Sequence, residues 1–219
     1  MDAGGGILFP KGQGMTINVS SDICNLALGA LGNFGTIGDI DTPTNDKERV
    51  FALWYDVCRQ FTLKLQMPNF SLQRAVVAQL ASVPAFGYSY NYALPPNCLK
   101  VLGIGEVRHK HNNYNVEGGC IQSDDPYPNG MPVRYIMDVT NVNAFSPEYI
   151  ILLADYLAAY TCLSVTQDAG KSKALMEALP AKINIASGLN AQENRPVRIN
   201  RSRYKEARFN GAPDYLDKK

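Results

Sequence analysis

Apolar residues recur at helical spacing in four stretches of the chain. Ser20-Ser21-Asp22 offers helix-capping side chains, and Ile23, Leu26, Ala27, Ala30 and Leu31 follow on one face, predicting a helix over 21–32. A Gly/Asp/Pro loop, 32–44, comes next. Asn45 precedes Glu48 by three positions, a spacing that lets each side chain satisfy a free backbone N–H of the other. Val50, Leu53, Trp54, Val57, Phe61 and Leu65 then mark one face of a long helix, 46–66, which Pro68 ends. Ser146-Pro147-Glu148 opens a third helix, 147–166, with proline at its first position and an acid at its positive end. It is apolar on nearly all sides, which predicts the central helix of a bundle. Asp155 and Thr161 interrupt it, so it is expected to fall short of a membrane span and to be a core helix. A fourth helix is expected over 169–188, kinked at Pro180 and capped by Gly188.

The middle third has a different period. Val76–Leu80 and Tyr88–Leu94 read as strands, the second alternating tyrosine with small residues. The face carrying Tyr88, Tyr90 and Tyr92 is expected to pack on helices rather than to stack on bases. Leu99-Lys100-Val101-Leu102, after Pro95-Pro96, and Val133–Met137 are further strands. Tyr114–Ile121 reads as a strand pair about a Gly118-Gly119 turn or bulge, and 122–132 as a loop. The predicted class is therefore α+β: an α-helical bundle of about four helices with a β-rich insertion over about 75–140. Flanking this 17–190 domain are an extended N-terminal arm, 1–16, holding five glycines, and a C-terminal arm, 191–219, without apolar periodicity.

Composition refines this picture. The 219 residues are 46% hydrophobic and 19% charged, enough apolar content for a real core. Charge lies below the roughly 25% usual for globular domains, as expected of a surface partly covered by partners. Twenty-one bases against 20 acids give +1, but the charge is unevenly placed. Residues 195–219 hold eight bases and three acids, a net +5, so residues 1–194 carry −4. Arg195, Arg198, Arg201, Arg203, Lys205 and Arg208, with Tyr204 and Phe209 among them, form the one charge feature above background. Such an arm fits docking into an acidic groove of a neighbouring protein, and less well nucleic-acid phosphates and bases.

Catalytic signals are weak. The only histidines, His109 and His111, form a His-x-His near Cys98 and Cys120, but no second pair stands at metal-ligand spacing, and a hairpin tip is the better reading. Asp39-x-Asp41 beside Gly38 and Pro43 reads as turn chemistry. No nucleophile elbow or phosphate-cradling glycine loop occurs. No enzyme activity, cofactor or metal is expected. The five scattered cysteines read as reduced thiols. Met1–Gly6 lacks the basic and apolar regions of a secretory leader, and none is expected.

The order of elements, and three runs within it, carry a resemblance. The runs are Phe86-Gly87-Tyr88-Ser89-Tyr90-Asn91-Tyr92-Ala93-Leu94-Pro95-Pro96-Asn97-Cys98-Leu99-Lys100-Val101, then Tyr114-Asn115-Val116-Glu117-Gly118-Gly119 with Val133-Arg134-Tyr135-Ile136, then the Ala/Leu-rich Leu152–Tyr160. Over about 17–190 the chain resembles the head-to-tail adaptor family of short-tailed bacteriophages, also called tail tubular protein A. The resemblance implies a non-enzymatic virion subunit at the head–tail junction, made in the host cytoplasm, without membrane contact. It implies a homo-oligomeric ring of twelve beneath the portal protein, carrying the tail nozzle or hub protein, and lining the channel for packaged DNA. It further implies that the C-terminal arm, Arg195 to Phe209, docks on the portal. The alternative expectation is a DNA-contacting head-completion stopper or tail terminator that uses the same arm.

Overall fold

The computed structural model describes residues 19–33, 35–105 and 114–193. Four helices and two small antiparallel sheets form an α+β fold: α1 (Ser20–Ala30), α2 (Asp46–Gln66), β1 (Leu72–Val77), β2 (Tyr90–Ala93), β3 (Cys98–Ile104), β4 (Tyr114–Glu117), β5 (Cys120–Ser123), β6 (Met131–Met137), α3 (Pro147–Thr166) and α4 (Ala169–Gln192). The N-terminal arm, the C-terminal arm from 194 onward and the two histidines lie outside the described residues, and the first residues of the expected C-terminal arm, 191–192, belong instead to α4.

The helices pack around α3, which touches α1, α2 and α4. Its buried residues include Tyr149, Leu152, Leu153, Tyr156, Leu157, Ala158 and Cys162. By length and composition alone α3 is apolar enough to cross a membrane, which corrects the expectation that it falls short. Its apolar surface is instead largely covered by Ile23, Ala27 and Leu28 of α1, Phe51, Tyr55 and Cys58 of α2, and Leu179 and Ala186 of α4.

Local chemistry sets the helix ends. The Asn45 side chain accepts from the Glu48 N–H at 2.9 Å, and Glu48 Oε2 accepts from the Asn45 N–H at 3.3 Å. Glu48 also gathers the N–H groups of Gly38 and Thr44 and the Thr44 hydroxyl, so one carboxylate pins the loop before α2. The expected serine cap of α1 is corrected: Val19 is the N-cap, and Asp22 reaches back to accept from its N–H, because the serines already lie inside the helix. At the other end of α1, Lys171 Nζ donates to the Leu31 carbonyl at 2.6 Å, a cation where the helix end is negative. α4 continues through Pro180 and past Gly188 to Gln192, four residues beyond the expected end. Its last turn is held from outside: the Asn69 N–H donates to Asn190 Oδ1 at 2.9 Å, and Asn69 Nδ2 to Glu193 Oε2 at 2.8 Å.

The β region is two three-stranded sheets, ordered β1-β6-β3 and β2-β5-β4. β4 and β5 form the expected hairpin, with Gly118 (φ 57°) and Gly119 (φ 78°) supplying the primed two-residue turn that matches strand twist. β1 begins at Leu72, four residues before the expected strand, because its partner along this stretch is β6. Beyond Val77 the chain crosses to β2, where the Leu80 N–H donates to the Asn91 carbonyl and Gln79 bridges Tyr92.

A second core joins the two sheets: Val77, Ile104, Met131, Val133 and Tyr135 from one, Tyr92 and Ile121 from the other. The tyrosine strand therefore packs between sheets, not on helices. The fully buried Tyr92 ring keeps its hydroxyl satisfied, donating to the Asp125 carbonyl at 3.2 Å and accepting from the Tyr127 N–H at 3.0 Å.

Candidate functional site

The arm residues Arg195, Arg198, Arg201, Arg203, Tyr204, Lys205, Arg208 and Phe209 lie outside the described residues. What is described is the place where the arm departs, the C-terminal end of α4. There, Glu193 borders a polar groove of about 640 Å³ together with Asn69, Leu72, Gln73, Arg74 and Arg134. Arg74 of β1 and Arg134 of β6 are directly opposed in the register of the sheet. Both are exposed, and neither has an ion pair among the described residues. Like charges opposed across an antiparallel pair cost up to about 1 kcal/mol. On the far side of this pair is a second groove of about 210 Å³, bordered by Val76, Gly105 and Pro132. Lys100 on β3 sits opposite Ile136, adding a third cation to the same face, while Gly103 opposite Arg134 leaves open space beside it. Sequence reasoning missed Arg74 and Arg134, because each is a single arginine in a strand and only pairing makes them neighbours.

No family model matches this chain, and no curated protein matches it.

Two apolar surfaces form a second feature. Of the stripe noted in the sequence of α2, Trp54 packs against the core, but four members do not face it. Phe51, Tyr55, Cys58, Thr62 and Leu63 do, so Leu53 (73% exposed), Val57 (56%), Phe61 (46%) and Leu65 (38%) make an outward ridge at four-residue intervals. Together these fractions equal about two fully exposed apolar side chains, whose burial would stabilise an interface by roughly 3–6 kcal/mol. Aromatic contacts brace the ridge: Trp54 stacks on Tyr160 with ring centres 5.2 Å apart, and Phe61 meets Tyr156 edge-on at 5.5 Å. Elsewhere, α3 and α4 enclose an apolar groove of about 300 Å³ lined by Ile151, Leu152, Ile185, Ala186 and Leu189. Its polar members are Glu148 and the Asp155–Lys182 ion pair, at 2.5 Å.

The remaining candidates show little chemistry. Asp39 accepts from the Asp41 N–H at 2.9 Å and from the Thr42 hydroxyl at 2.8 Å, the turn expected there. Those bonds hold its carboxyl below the ordinary range. Among the described residues no three metal-ligating side chains cluster. All five cysteines are free; Cys24, Cys58 and Cys162 are buried, and Cys98 and Cys120 half-buried. Burial pushes Cys24 and Cys58 up to about 12, which keeps both as unreactive thiols at neutral pH.

Proposed function

We propose that the chain is a structural virion protein without catalytic activity, a ring-forming head-to-tail adaptor that joins portal to tail nozzle or hub and lines the DNA exit channel. The single observation that best supports assembly is the pair of unpartnered apolar surfaces, one on α2 and one between α3 and α4. They are convex and concave respectively, so they complement each other and not themselves. A contact between two different patches repeats from copy to copy and closes into a ring when the rotation fits. Charge agrees with this seating. Lys64 flanks the α2 ridge and Glu148 borders the α3–α4 groove, and neither has an ion pair among the described residues. The resemblance in the tyrosine run and the Tyr-x-Val-Glu-Gly-Gly hairpin supports the adaptor assignment, and the basic arm fits portal docking.

The test is imaging of purified protein mixed with portal rings. The expected result is a ring seated on the portal, lost when 195–219 is deleted; co-sedimentation of the truncated protein with portal would overturn arm docking. The second reading, a stopper or tail terminator that contacts DNA, draws support from Arg74 and Arg134 beside the root of the arm. Ring position in an image of the particle separates the two.

A further inference from the structure

We propose that the β1–β6 face carrying Arg74 and Arg134 is a binding site for the phosphodiester backbone of nucleic acid, separate from the basic arm. Direct opposition places the two side chains about 5 Å apart at their Cβ atoms, on one face of the sheet. Two guanidiniums on neighbouring strands can each offer a planar fork of donors to the same phosphate chain, the geometry that phosphate oxygens accept best. The pair stands between two open grooves, so an extended chain can lie across it from one groove into the other. Among the described residues Glu193 is the only acid bordering either groove, and its carboxylate accepts from Asn69 Nδ2. The cationic excess is therefore uncompensated by described residues.

The lining decides the ligand class. Among the described residues no aromatic ring borders either groove, so these residues give bases nothing to stack on, and their contact is with phosphates rather than with sequence. An acidic protein segment shares the anionic chemistry but would want apolar anchor pockets; among the described residues the larger groove offers Leu72 and the smaller one Ala75, Val76, Pro132 and Val133, so such a segment is the competing ligand that the experiment separates from the duplex. Binding here does not depend on ring assembly, since none of these residues belongs to the α2 ridge or the α3–α4 groove.

The experiment measures binding of a fluorescently labelled DNA duplex to the full chain across salt concentrations. Each neutralised phosphate contributes a slope of about −0.9 in log affinity against log salt. Arg74→Gln with Arg134→Gln should flatten that slope by about 2, so that from 50 to 200 mM salt the wild type loses about twelvefold more affinity than the variant. Arg74→Gln alone should flatten it by about 1, and Arg74→Lys with Arg134→Lys should keep it. The same flattening should occur on an Arg198→Gln, Arg201→Gln, Arg203→Gln background, which separates this site from the arm. Removing opposed like charges leaves the sheet intact, as a thermal unfolding curve would show. A wild-type slope in the double glutamine variant, or no duplex binding by the wild type, overturns the proposal. So does a double variant that loses binding to a polyglutamate peptide yet keeps binding to the duplex, an outcome that assigns the face to an acidic protein.

Discussion

Arg59 of α2 and Asp138, just beyond β6, form an ion pair that ties the helical bundle to the sheet. The arginine is 3% exposed and fully engaged: Nη1 also donates to the Val139 carbonyl at 2.8 Å, and Nε and Nη2 to Asp56 at 3.1 and 2.9 Å. Gln60 Nε2 donates to the same Asp138 at 2.9 Å, and the Tyr149 hydroxyl donates to the Arg59 carbonyl at 2.9 Å. Burial alone would lower the pKa of this guanidinium; the hydrogen bonds it donates to Asp138 and Asp56 reverse that and raise it. Because the charge is paired on every side, removing either partner strands the other. Arg59→Ala should destabilise the fold by about 3 kcal/mol in urea unfolding, and Arg59→Lys should recover only part of that, since an ammonium cannot span both carboxylates.

Glu48 makes stability depend on pH. Backbone N–H groups of Thr44 and Gly38, with the Thr44 hydroxyl, hold its carboxyl down from the ordinary 4.5 to about 2. A depressed carboxyl stabilises the fold fully above its unfolded pKa and loses that contribution as pH falls through 4.5 towards 2. Glu48→Gln should therefore flatten the loss of thermal stability over this window. An equal slope in wild type and variant would show that the loop before α2 does not depend on this charge.

If the proposed ring forms through the α2 ridge, substitutions there separate folding from assembly. Leu53→Glu and Val57→Glu place charges on outward positions, so monomer stability should change by no more than about 0.5 kcal/mol. Assembly should be lost, as seen by sedimentation velocity or mass photometry. The charge-reversed pair Lys64→Glu and Glu148→Lys tests the seating itself: each alone should weaken the ring, and both together should restore it.

Gly130 is required by its neighbours. Its φ of 91° lies in the left-handed region, and a Cβ there would stand 2.6 Å from Val76 Cγ1 and 3.1 Å from the Val77 carbonyl oxygen. Gly130→Ala should cost about 2 kcal/mol and loosen the β1–β6 edge, measurable as faster amide exchange in β1.

The sequence by itself determined the elements whose limits are written in local chemistry. Helix α2 begins at Asn45–Glu48 and ends before Pro68, and α3 begins at Pro147, because caps and prolines act within a turn of the residues they govern; the Ser146 side chain, in the N-cap position of α3, makes no capping bond. The Gly118-Gly119 hairpin was legible for the same reason. Tertiary structure alone decided which face of α2 is outward. Leu53, Val57 and Phe61 keep helical period as faithfully as Phe51, Tyr55 and Cys58, and only the positions of α1 and α3 choose between them. It alone decided the last turn of α4, which Asn69 holds from far along the chain, and the division of six strands into two sheets. The opposition of Arg74 and Arg134 belongs here too. Strand partners far apart in sequence are selected by which apolar faces can be buried together, and that selection, made by Val77, Val133 and Tyr135 on one face and by Leu72 and Ile136 against the helices on the other, places the two arginines side by side just beyond the helix-covered pair.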